Sequence, residues 1–310
     1  MNRASFAAGL GLLALPVPAG AQLPSPAIRI AEIAIDLYAE AYYAQDLGLF
    51  KKAGLTVDIS TFANGGTAST AVAGGAAEIG VSNPVAIANA FTHGVALTVL
   101  AGAGLYSSNA ASTALCVAKN SPLRTAKDAE GKTIALSALG DQAQIGVQEW
   151  LQKNGADPTK VKFVEVPFPE MGNALQQGRI DIAMIPEPAL TIAQKTTSRL
   201  FAKPFDAIAP QFLIGVWFTT AAWAQKNPDL AKKFVGAIYE AGRWANGHHD
   251  ESAAILAKYS KIDPATLHEM TRAVYATTLT PQMIQPPLDA AARYGLLSRP
   301  VTAAELIAKP

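Results

Sequence analysis

Val72, Gly75, Glu78, Ile79 and Gly80 are answered 103 residues later by Leu175, Gly178, Asp181, Ile182 and Ala183. In each copy an apolar helix face ends at a glycine suited to a left-handed cap, and an acidic residue then leads a short β-rich run. Both runs stop at a proline-bearing turn, Ser82-Asn83-Pro84 in the first and Pro186-Glu187-Pro188 in the second. What precedes the two copies also corresponds. Ile28 to Ile35 reads as a strand, Tyr38 to Lys52 as a helix, Gly54 as its cap and Leu55 to Ile59 as a strand; Thr133 to Leu136, Gln142 to Asn154, Gly155 and Val161 to Val166 repeat that order. A chain that writes βαβαβ twice is held to right-handed crossovers and parallel sheets covered on both faces. Two α/β lobes are therefore expected, each a mostly parallel sheet flanked by helices.

Ala114 to Ala118 and Phe212 to Thr219 are strand-like runs, one leaving the first lobe and one following the second. Two crossovers at these points divide the chain into a discontinuous first lobe, residues 22–116 plus 216–310, and a second lobe, residues 117–215. Beyond Trp223 the sequence reads as helix: Asp229 to Trp244, Pro264 to Thr277 behind Asp263, and Pro281 to Tyr294 with an interruption at Pro286-Pro287. With no strands of their own, these helices are expected to wrap the first lobe and the hinge. Ahead of the lobes stands a targeting segment. Met1-Asn2-Arg3 is a basic start, Ala4 to Leu15 is too short to span a bilayer, and Ala19-Gly20-Ala21 offers small residues for cleavage before Gln22. Residues 1–21 are read as a secretory signal peptide and the mature protein as soluble outside the cytoplasm. Val85 to Ala103 is no membrane span, because Asn89, Thr92, His93 and Gly94 divide it into a helix and a strand.

Composition narrows the function. Half of the 310 residues are hydrophobic and 16% are charged, which suits packed cores and excludes a disordered or coiled-coil chain. Lys+Arg number 25 against 24 Asp+Glu, leaving no field to attract nucleic acid. The single cysteine, Cys116, allows no internal disulfide and no thiolate cluster, and the adjacent His248 and His249 would point about 100° apart on a helix, so no metal site is expected. Gly131-Lys132-Thr133 fails as a phosphate loop, since Ala126 stands at the first glycine position and a strand follows. Gly102-x-Gly104 has Ser107 where a dinucleotide fingerprint needs glycine, and no Gly-x-Ser-x-Gly elbow occurs. Neither an enzyme nor a cofactor is expected.

Open α/β sheets bind ligands beyond the carboxyl ends of their strands, where helix N-termini present free N–H groups. In the first lobe those loops supply Asp36, Tyr38, Gly66, Thr67, Ser82, Asn83 and Tyr106; in the second, Ser137, Asp141, Gln142, Phe168 and Glu187. Gly66, Thr67, Ser137 and Gln142 are the expected anion contacts, the glycine pair letting backbone approach closely. Thr67 and Asp141 equally suit plain N-caps, and Asp36 with Glu40 suits the positive end of a helix. No Arg or Lys lies in these loops, which argues against a dianion. A zwitterion fits better, its acid on helix N-termini and its amine near Glu187 or Asp36, as does an aminopyrimidine stacked on Tyr38, Tyr106 or Phe168.

Together with the leading signal, Ala44-Gln45-Asp46-Leu47-Gly48-Leu49-Phe50-Lys51-Lys52-Ala53-Gly54-Leu55, Gly65-Gly66-Thr67 and Ala174-Leu175-Gln176-Gln177-Gly178-Arg179-Ile180-Asp181 resemble the solute-binding proteins of ABC importers, in the sulfonate, nitrate and taurine group that also includes binders of thiamine-pyrimidine precursors. The resemblance implies a type 2 periplasmic binding fold, a monomer that closes on a small molecule and presents it to ABC permease subunits of the inner membrane. A taurine-like zwitterion or a monoanionic sulfonate is the expected ligand. An aminopyrimidine, an aromatic carboxylate, or docking to a receptor are the alternatives. The pyrimidine synthases of similar fold carry a cysteine-rich motif that this chain lacks.

Overall fold

A computed structural model describes residues 27–308, so the expected signal peptide lies outside the described residues. The strands are β1 (Ile28–Glu32), β2 (Val57–Thr61), β3 (Ile79–Ser82), β4 (Leu97–Gly102), β5 (Gly104–Ser107), β6 (Thr113–Ala118), β7 (Thr133–Leu136), β8 (Lys162–Glu165), β9 (Ile182–Pro186), β10 (Ser198–Ala202), β11 (Gln211–Leu213), β12 (Val216–Thr220) and β13 (Val274–Tyr275). They form two five-stranded sheets, ordered β2-β1-β3-β12-β4 and β10-β6-β9-β7-β8, and a three-stranded sheet β11-β5-β13. In the first, β12 runs antiparallel to both β3 and β4; in the second, β6 runs antiparallel to both β9 and β10. The other four strands of each sheet share one direction. The two lobes and their mostly parallel sheets are thus as expected.

The internal repeat has a physical basis. The helices Gly65–Ala73 and Phe168–Gln176 sit at the same 103-residue offset, and each is followed by a left-handed glycine, Gly75 with φ 76° and Gly178 with φ 67°. The acid then closes a two-way clasp on the neighbouring strand. Glu78 donates its N–H to the Arg29 carbonyl at 2.9 Å and accepts the Arg29 N–H on its carboxylate at 2.7 Å. Asp181 does the same with Thr133, at 3.0 and 2.8 Å. Each acid therefore extends the parallel ladder by one side-chain rung where β3 or β9 begins.

The crossovers run side by side. β5 and β11 pair antiparallel, with Tyr106 opposite Phe212, and β13 completes their small sheet. Cys116, expected at the first boundary, falls inside β6 and so in the second sheet; the change of sheet comes earlier, in residues 108–112. Phe212 to Thr219 is two strands, the first in the crossover sheet and the second in the first lobe's sheet. Trp217 is fully buried and meets Phe234 edge-on at 5.4 Å, a core residue as its apolar run implies.

Several helices differ from expectation. Tyr38 to Lys52 is broken by Gly48 in the left-handed region into Glu40–Asp46 and Leu49–Lys52. Pro264 to Thr277 is helical only to Glu269, because Arg272 turns away to a buried partner and Val274 enters a strand. Conversely, the helix Pro281–Arg293 runs through Pro286-Pro287. His248 breaks the long C-terminal segment and stacks on Trp244 at 5.1 Å. The C-terminal helices pack on the first lobe and also reach the second: Lys195 pairs with Glu269 at 2.5 Å, and Arg293 with Glu149. Among the described residues no helix is long and apolar enough to cross a membrane.

Candidate functional site

The carboxyl ends of the parallel strands of both lobes converge on one cavity of about 60 Å³, several times what a single water needs. The first lobe contributes Ile33 and Ile35 beyond β1, then Tyr38, Asn64, Gly65 and Asn83; the second contributes Ser137, Asp141 and Gln142 beyond β7 and Phe168 at a helix start. Thr113, where β6 enters the second sheet, and Ile214, between β11 and β12, adjoin the crossovers.

Helix capping fixes the rim. Asn64 accepts the Thr67 N–H at 3.0 Å, while its Nδ2 donates across the cleft to the Ser137 carbonyl at 2.9 Å. Asn83 caps the helix Pro84–Thr92 by accepting the Ala86 N–H at 2.9 Å, and its Nδ2 donates to Asp141 of the other lobe at 3.3 Å. Asp141 in turn caps the helix Gln142–Lys153, accepting the N–H groups of Ala143 and Gln144 at 2.9 and 3.3 Å. Burial pushes its carboxyl up to about 6, against the pull of those donors. Gly65 is required by close packing: a Cβ there would sit 2.2 Å from the buried Ser82 hydroxyl.

Two polar atoms in the lining are buried without a partner, Thr113 Oγ1 and Gln142 Oε1. The Leu213 carbonyl accepts from Gln142 Nε2 at 3.4 Å, and this contact sets which end of the amide is left free. The chamber therefore offers one unfilled acceptor and one unfilled hydroxyl. Asp141 is the one carboxylate in the lining, and no Lys, Arg or His takes part. Among the described residues no cluster of three or more His, Cys, Asp or Glu could hold a metal.

Of the sequence-derived candidates, Tyr38, Asn83, Ser137, Asp141, Gln142 and Phe168 meet in this chamber. The others do not. Gly66 and Thr67 follow Gly65 in the first turn of the helix but are not part of the lining, and Thr67 is engaged in a capping box with Asn64, which reaches the cavity. Ser82 sits behind Gly65, and Tyr106 donates to Asp206 at 2.6 Å within an aromatic cluster with Phe205 and Phe212. Asp36 is fully buried against Arg272, its Oδ1 accepting from the guanidinium at 2.8 Å and its Oδ2 from the Ala273 N–H at 2.6 Å. Glu187 accepts the Thr191 N–H and hydroxyl, both at 3.0 Å, and the Thr271 N–H at 3.4 Å. Neither acid lines the chamber. Glu187→Gln is accordingly expected to lower stability by about 1–2 kcal/mol and to weaken zwitterions and plain sulfonates equally, as read from paired thermal melts and titrations. Asn64 and Thr113 line the chamber without having been among the candidates; an asparagine ahead of two glycines was the available signal for the first, and nothing local marks the second.

A family model described as NMT1/THI5 like matches residues 38–252. The taurine-binding periplasmic protein of Escherichia coli (strain K12) is 26% identical over 240 residues, 75% of this chain and 72% of its own. The solved structure of the alkanesulfonate-binding protein SsuA from Xanthomonas axonopodis pv. citri, bound to MOPS, superposes with a TM-score of 0.78 at 19% identity, covering 92% of this chain and 99% of its own. The desulfurization enzyme DSZB superposes with a TM-score of 0.66 at 15% identity, covering 91% of this chain and 96% of its own. At such identities the structures establish the shared two-lobed fold, and that fold serves both binding and catalysis. The family match spans well over half of the chain and includes parts of both lobes, and on that ground the protein belongs to the NMT1/THI5-like family.

Proposed function

We propose that the chain is an extracytoplasmic solute-binding protein, periplasmic after removal of residues 1–21, whose lobes close on a small polar organic molecule and whose closed form delivers it as a monomer to an ABC importer. The observation that carries this reading is a chamber walled by both lobes that holds buried hydrogen-bonding groups without partners. Such a chamber completes its hydrogen bonds when a ligand arrives, and closing around it strengthens each contact by excluding water. The taurine- and alkanesulfonate-binding relatives support the class of ligand.

Within that class the lining favours a head that donates as well as accepts. A sulfonate has only acceptor oxygens and leaves Gln142 Oε1 unfilled; an ammonium or amino group beside the acid fills it. A taurine-like aminosulfonate is therefore the first reading. The free amide oxygen equally favours an aminopyrimidine against Phe168, which is the second. Titration calorimetry of the mature protein with taurine and ethanesulfonate separates the amine from the sulfonate. We expect taurine to bind roughly tenfold tighter or better, Gln142→Leu to abolish the difference, and small-angle scattering to show a smaller radius of gyration on saturation. Failure of taurine, ethanesulfonate and 4-aminopyrimidine to bind at millimolar concentration, with an unchanged radius, overturns the reading.

A further inference from the structure

Residues 137–141, which join β7 to the helix Gln142–Lys153, have their hydrogen-bonding groups sorted by lobe. The donors face home: the Leu139 N–H donates to Glu165 Oε1 and the Gly140 N–H to Gln144 Oε1, both at 2.9 Å. The acceptors face the first lobe, where three asparagine amides meet them. Asn64 Nδ2 donates to the Ser137 carbonyl at 2.9 Å, Asn83 Nδ2 to Asp141 Oδ2 at 3.3 Å, and Asn89 Nδ2 to the Gly140 carbonyl at 3.4 Å. A fourth bond runs the other way, from the Gln142 N–H to Asn83 Oδ1 at 3.4 Å. Capping explains the direction of two of the amides. The oxygens of Asn64 and Asn83 accept from Thr67 and Ala86 within their own lobe, which leaves each nitrogen pointing across the cleft. Serine or aspartate would cap those helices as well, but serine lacks the reach and aspartate has nothing to donate.

The row also divides two spaces. Asn64 and Ser137 line the chamber, Asn89 and Gly140 line an outer groove of about 420 Å³, and Asn83 and Asp141 line both. We infer that this row is a latch: it joins the lobes through their own groups, so that closed molecules form without a solute and exchange with open ones, and it bars one side of the chamber once a solute is inside. The latch rests on the capture reading above for its use, the regulation of that same site, while its existence is independent of what is captured. A solute then tips an equilibrium that already holds closed molecules, and less of its binding energy is consumed in bringing the lobes together.

The test is a distance measurement between the lobes of the mature protein, refolded free of solute. Nitroxide labels are placed through Ala76→Cys and Gln177→Cys, exposed positions one on each lobe, and the native Cys116 is fully buried. Pulsed electron resonance should show two separations, the shorter being that of the closed structure. Asn→Asp at 64, 83 and 89 keeps the capping oxygens and turns each donor into an acceptor. Each single change should lower the ratio of short to long by roughly two- to tenfold, the worth of one net hydrogen bond, and the triple variant should show the long separation alone. Asn89→Ala, at a half-buried helix position outside the chamber and the caps, gives the single-site effect with no charge added and no cap at stake. A long separation alone in the free parent, or a ratio unchanged in the triple variant and in Asn89→Ala, overturns the latch. If taurine, ethanesulfonate and 4-aminopyrimidine all fail to convert the long population while these variants still deplete the short one, the capture reading falls and the latch stands.

Discussion

Replacing Arg272 by methionine is expected to cost about 3–5 kcal/mol of stability, the range for removing one partner of a buried ion pair, and so to lower the melting temperature by on the order of 10 °C. The guanidinium is 8% exposed and the Asp36 carboxylate not at all. Without Arg272, Asp36 keeps the Ala273 N–H and the hydroxyls of Tyr43 and Tyr275, which are too few to hold an isolated charge in that environment. The double variant Asp36→Asn with Arg272→Met should recover most of the loss, since the asparagine keeps the neutral hydrogen bonds and the charge is gone. Thermal melts of the single and double variants decide it; a single variant within 1 kcal/mol of the parent would mean that the pair holds nothing in place. The effect reaches the cleft, because the neighbouring Thr271 donates its N–H to Glu187 of the second lobe.

Glu40 sets the second large effect. Its side chain is fully buried with neither carboxyl oxygen paired, beside the Trp217 indole and near Glu32 and Asp36. Burial holds its carboxyl up at about 8, and burial raises Glu32 in the same direction. The folded protein thus keeps a proton on Glu40 that the unfolded chain, titrating near its ordinary 4.5, has already released. Stability is fully present below about 4.5 and is lost as pH rises toward about 8, at roughly 1.4 kcal/mol per pH unit for this one group. Glu40→Gln removes the linkage. Its melting temperature should match that of the parent near pH 4.5 and exceed it increasingly up to pH 8; parallel profiles of the two proteins would show that Glu40 is not the group responsible.

The parts of this structure visible in the sequence were those set by local chemistry. The repeat could be found because a left-handed cap needs glycine and a strand start needs its clasp, so Gly75 and Gly178, and Glu78 and Asp181, kept their types. The loops that carry the site were found for the same reason, since strand ends and helix starts have local signatures. What failed was the assignment of individual side chains. Asp36 and Glu187 carried the right charge in the right loops, but Arg272 takes the first from 236 positions away, and Thr271 shares the second from 84 positions away. Thr113 and Ile214 line the chamber because the crossovers pass it, and their placement depends on where the chain changes sheets. In Asn64-Gly65-Gly66-Thr67 the cap took up the threonine and turned the asparagine inward.

The strand order also bears on how the chain assembles as it emerges. Every strand of the second sheet comes from the unbroken stretch between Thr113 and Ala202, so that sheet can close as soon as those residues are present. The first sheet cannot. Its first four strands in chain order end at Gly102, yet β3 and β4 share no border until β12, ending at Thr220, is laid between them. For more than a hundred residues of growth the first half of the protein carries two raw edges facing an empty slot, the kind of surface that invites pairing with another chain. The half made first is finished last, and a chain stopped short of Thr220 should yield a sound second lobe attached to a sticky, incomplete first one.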